Sequence, residues 1–87
     1  MEELLFIPES LEERSSHALN YLENRLKLKV RVNLSIDDYK IYTEISKGGI
    51  MLYKSQGMHQ SDLHVFFINY AEHMKLKEVT NESLKLV

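Results

Sequence analysis

Leu28-Lys29-Val30-Arg31-Val32-Asn33-Leu34-Ser35-Ile36 decides the fold. Aliphatic and polar residues alternate without a break, the period of a β-strand with one buried and one wet face. Asp37-Asp38 then reads as a turn. Beyond it, Tyr39, Ile41, Thr43 and Ile45 alternate with Lys40, Tyr42, Glu44 and Ser46, a second strand. A two-residue loop at Asp37-Asp38 puts Ile36 opposite Tyr39, Leu34 opposite Ile41, Val32 opposite Thr43 and Val30 opposite Ile45. All share one side, while Arg31 meets Glu44 on the other, an attractive cross-strand pair. The expectation is that helices cover the whole Leu28, Val30, Val32, Leu34 and Ile36 side.

Gly48-Gly49 supplies the next hairpin turn, because glycine tolerates the positive φ that tight turns need. A third strand follows over residues 50–55. With a two-residue turn, Leu52 faces Ile45 in the core and Met51 and Tyr53 point outward; a three-residue loop reverses this.

Helices flank the strands. Ser10 and Glu13 form a capping box, in which each side chain satisfies the other's free backbone N–H. Leu11, Ala18, Leu19, Leu22 and Leu26 make a helical stripe over residues 10–26. Ser61 or Asp62 can cap a second helix, where Leu63, Phe66, Phe67, Tyr70, Ala71 and Met74 fall on one face. Val65, Ile68 and Leu76 widen that arc beyond what one sheet needs, so either the C-terminal tail or another chain covers Val65 and Ile68. Thr80-Asn81 resembles a turn, and Leu84, Leu86 and Val87 suit an edge strand or packed tail. Leu4-Leu5-Phe6-Ile7, ended by Pro8, suits a brief strand or an arm on the core.

The order is thus (β)-α-β-β-β-α-(β) in a single domain over residues 1–87. The fold class is α+β: a two-layer α/β sandwich, with a three-stranded antiparallel meander and two helices on one face. The same element order occurs in double-stranded RNA-binding domains. That family carries a basic cluster entering its second helix, and Met58-His59-Gln60-Ser61-Asp62 has neither Lys nor Arg, so the likeness stops at the order.

Composition excludes several functions. With no Cys there is no disulfide, zinc ribbon or thiol nucleophile. No apolar run approaches the length of a membrane span, and Glu2-Glu3 ahead of a short apolar run is unlike a signal peptide; a cytoplasmic protein away from membranes is expected. The net charge of −2 is unlike a dedicated duplex binder, although residues 1–24 carry −5 and residues 25–40 carry +3.

No catalytic set emerges. Ser15, Ser16 and His17 are adjacent on a helix and diverge. Glu12 and Glu13 suit a helix first turn better than acid–base work. Gly48-Gly49 lacks the Lys of a phosphate loop. Among His17, His59, His64 and His73, none share ligand spacing on a helix, so no metal or cofactor is expected.

The open sheet face stands out: Lys29, Arg31, Asn33, Lys40, Tyr42 and Glu44, joined by Met51, Tyr53 and Ser55 if the glycine turn is tight. Tyr, Met and Arg favour protein interfaces. The expected function is therefore a small non-enzymatic binding module (adaptor, regulator or inhibitor). Its contacts would be Lys29, Arg31, Lys40, Tyr42, Met51 and Tyr53 on the sheet, or Val65 and Ile68 on the second helix, the latter also a homodimer face. The alternative is single-stranded nucleic acid, its bases on the tyrosines and its phosphates on the cations. The plain reading of the same face is a solvated sheet, since Tyr favours strands anyway.

Overall fold

The computed structural model describes residues 10–85, with side chains to Glu82. Residues 1–9 and 86–87, and with them the strand or arm expected at Leu4-Leu5-Phe6-Ile7 and the end of the expected tail, lie outside the described residues.

The strands are β1 (Lys29–Leu34), β2 (Ile41–Lys47) and β3 (Ile50–Lys54), in the antiparallel order β1-β2-β3. Helices α1 (Leu11–Asn20) and α2 (Gln60–Lys85) pack on one side of this sheet. The expected pairing of the first hairpin is the observed one: Val30 with Ile45, Arg31 with Glu44, Val32 with Thr43, Leu34 with Ile41. The loop is wider than two residues. The Ser35 N–H donates to the Lys40 carbonyl at 2.8 Å, leaving residues 36–39 as a four-residue connection with Tyr39 at φ +55°. Ile36 and Tyr39 therefore sit at an exposed tip instead of facing each other across the ladder.

The Ser10 hydroxyl caps α1 by accepting the Glu13 N–H at 3.0 Å. After Asn20 the helix widens into one π-type turn over Tyr21–Arg25, with the Leu26 N–H reaching the Tyr21 carbonyl. Lys27 then adopts φ +60°, and the Leu28 N–H reaches back to the Leu22 carbonyl at 3.0 Å. This is a left-handed helix stop, one residue wider than a Schellman motif because of the π-type turn, and Leu22 and Leu28, both buried, supply the apolar contact that accompanies such stops.

The two helices run side by side in the same direction. Ser10 and Glu12 lie beside Gln60 and His64, Arg14 and Ala18 beside Ile68 and Glu72, and Arg25 beside Glu78. Ala18, Leu22, Leu28, Ile45, Leu63, Phe67 and Ala71 form the core.

Three expectations are corrected. First, β2 and β3 lose register between Ile45 and Ser46, so that Ile45 faces Tyr53, Ser46 faces Met51, and Leu52 is the extra residue of a bulge. Tyr53 therefore points to the helices, while Leu52 is exposed and absent from the core. Second, α2 continues unbroken to Lys85, so Thr80 and Asn81 are helical and no strand begins at Leu84. Third, the helices cover only the first part of β1. Leu28 is buried and Val30 half-buried, but Val32, Leu34 and Ile36 are 45%, 62% and 79% exposed. The third correction follows from the first. Tyr53 stacks on Phe66 with ring centroids 4.4 Å apart and lies 6.0 Å from Tyr70, which seats α2 over β2 and β3.

Candidate functional site

The sheet presents two faces built by the same registers. On the face away from the helices, Lys29 lies across from Ser46 and Met51, Arg31 across from Glu44 and Lys54, and Asn33 across from Tyr42. Lys40 shares that side by alternation along the strand. Tyr42 is half-buried, since Gly57 (φ +106°) brings its backbone against the ring: a Cβ there would stand 3.2 Å from it and 3.1 Å from the Lys40 side chain. The Tyr42 hydroxyl donates to Asp38 Oδ2 at 3.2 Å, and the Lys40 N–H donates to Oδ1 at 3.2 Å. Hydrogen bonds from Ser35, the Lys40 amide and Tyr42 favour the ionised carboxylate and hold Asp38 below its ordinary pKa. The same hydrogen bond and negative charge raise Tyr42 above its ordinary value.

Lys29, Arg31, Lys40, Tyr42 and Met51 thus gather on one face as expected. Tyr53 does not join them, because the bulge turns it inward. The stacking platform has one ring where two were expected, and that ring is tethered through its hydroxyl. On α2, Val65 is exposed, whereas Ile68 is half-buried in the seam with α1 beside Ala18 and Ala71. No tail folds back over either residue among the described residues, since the chain beyond continues as helix.

The helix-side face holds what sequence reasoning missed. It is built of rungs: Val30–Ile45–Tyr53, then Val32–Thr43 beside Ser55, then Leu34–Ile41–Met58. Ile41 and Met58 exchange both backbone hydrogen bonds, at 2.8 and 2.9 Å. The Ser55 hydroxyl accepts the Thr43 N–H at 2.8 Å. The β1 end of each rung emerges progressively: half-buried Val30, then wet Val32, then wetter Leu34, with Ile36 beyond. Among the described residues nothing pairs with the outer edge of β1. An aliphatic flank and an unpaired backbone edge therefore coincide. The alternating run in the sequence shows which residues share this face, but not how much of it the helices cover.

Among the described residues no three metal-ligating side chains cluster, and no helix is long and apolar enough to cross a membrane. Both ring nitrogens of His64 are shielded from solvent and lack a hydrogen-bond partner among the described residues. Ser15 is buried in α1. No protein-family model matches the chain, and no curated protein or solved structure is significantly similar to it.

Proposed function

We propose that this protein is a non-enzymatic protein-binding module, an adaptor, regulator or inhibitor, that docks its partner on the outer edge and aliphatic flank of β1. One observation carries the reading: Val32 and Leu34 on β1, and Ile36 in the loop just beyond it, are exposed in succession, and the outer edge of the strand is unpaired among the described residues. Contiguous apolar surface of this kind marks interaction sites, and an open edge is a ready template for strand addition. Main-chain hydrogen bonds supply affinity in that mode, and alternate side chains supply selectivity. Lys29, Arg31, Lys40 and Tyr42, on the opposite face of the same hairpin, then form the polar border of the docked strand.

Capture from the native host tests it. Proteins retained by the wild type are expected to be lost with Leu34→Lys and kept with Val65→Lys on α2. Unchanged capture by Leu34→Lys would overturn the β1 site. Binding of single-stranded RNA or DNA that falls steeply with salt and is lost with Tyr42→Ala would overturn the class of partner.

A further inference from the structure

We propose that the partner of the β1 edge is a second copy of this chain, joined by antiparallel β1–β1 pairing centred on Val32; this rests on the docking reading above. The backbone directions limit how two such edges can meet. Because the Ser35 N–H points at β2, Asn33, Arg31 and Lys29 also turn their backbone groups inward, and Val30, Val32 and Leu34 turn theirs to the outer edge. Two copies related by a two-fold axis must pair outward-turned residues with outward-turned residues. Three registers satisfy this near the strand centre.

In the first, Arg31 lies opposite its own copy, setting like charges side by side, which is destabilising. In the third, centred on Asn33, Val32 meets Leu34 but Val30 is pushed out to Ile36, which belongs to the hairpin loop rather than the strand. The middle register has neither fault. Val32 meets Val32, Val30 meets Leu34, and each donates one hydrogen bond and accepts one. Arg31 faces Asn33, and Lys29 faces Ser35, so every cation has a neutral polar neighbour.

The axis of such a pair stands perpendicular to the sheet, and both helix layers fall on the same side. The exposed Val32 and Leu34 of the two copies then form one apolar floor between the helix layers, and a three-stranded sheet becomes a continuous six-stranded one. Only a short strand and its flank are buried. That is the low end of interface sizes, so association is expected to rise with concentration.

The chain has no Cys, which allows a direct test of register. Paired residues in an antiparallel ladder have Cα atoms about 4.5–5.5 Å apart, within disulfide reach. Under mild oxidation Val32→Cys is expected to cross-link to twice the 10.3 kDa of one chain, while Arg31→Cys and Asn33→Cys stay single. Val32→Pro removes an outward N–H that no described residue engages, and is expected to give a folded monomer by circular dichroism and light scattering. Cross-linking at Arg31 or Asn33 instead of Val32 would overturn this register. A wild type monomeric at every concentration would overturn the dimer. In that case, protection of the Val32→Cys thiol from alkylation would assign the flank to the chain's own residues. A reactive thiol in the same variant would leave the flank to a different protein, judged by the Leu34→Lys capture.

Discussion

At the scale of single residues, Thr43 carries the clearest local cost. Its side chain is fully buried in the middle rung, and its hydroxyl has no hydrogen-bond partner among the described residues. A desolvated, unpaired hydroxyl is worse than a methyl group of the same shape. Thr43→Val should therefore stabilise the protein by about 1 kcal/mol, read as a raised urea midpoint at unchanged m-value. Asp38 acts in the opposite sense. Its folded pKa is depressed, so its contribution is present above the ordinary carboxylate range and is lost as pH falls through the folded value. The stability difference between wild type and Asp38→Asn should be present at neutral pH and close in acid. A difference independent of pH would mean that the loop does not select the ionised form.

At the scale of elements, two backbone positions decide how pieces join. Lys27 ends the first helix in a left-handed conformation where glycine is at ease and a side chain is not. Lys27→Gly should raise stability by roughly 0.5–1 kcal/mol, measured by thermal or chemical unfolding. Gly57 is the converse case. A methyl group there meets both an unsuitable φ and the Tyr42 ring, so Gly57→Ala should cost roughly 2–3 kcal/mol. Gly48→Ala, with open space around it, should cost only about 1 kcal/mol. Equal costs would show that the approach to Tyr42 carries no energy.

At the scale of the whole molecule, one helix layer lies on one sheet, with a thin dimension of 17 Å. A residue in such a body has a single chance of burial, and the distal half of β1 misses it. Substitutions there should hardly touch the monomer. Leu34→Lys is expected to change unfolding free energy by no more than about 0.5 kcal/mol while abolishing association. A large loss of stability would instead mean that Leu34 belongs to the core.

Much was legible along the chain because it is local. The alternation at residues 28–36 and 39–46, and the charge match of Arg31 with Glu44, specified the first hairpin's register. A change in loop width left that register intact. The Ser10–Glu13 cap and the apolar stripes placed both helices. What periodicity left undecided was which side Tyr53 takes, since one extra residue at Leu52 reverses a strand without altering its composition. The extent of α2 was hidden for a similar reason: Leu76 and Val79 are exposed, so its last turns carry no core-facing period to read. The candidate surface followed from these two. Alternation tells which residues share a face, but only the seating of a helix layer, drawn toward β3 by the Tyr53–Phe66 stack, decides how much of that face stays dry.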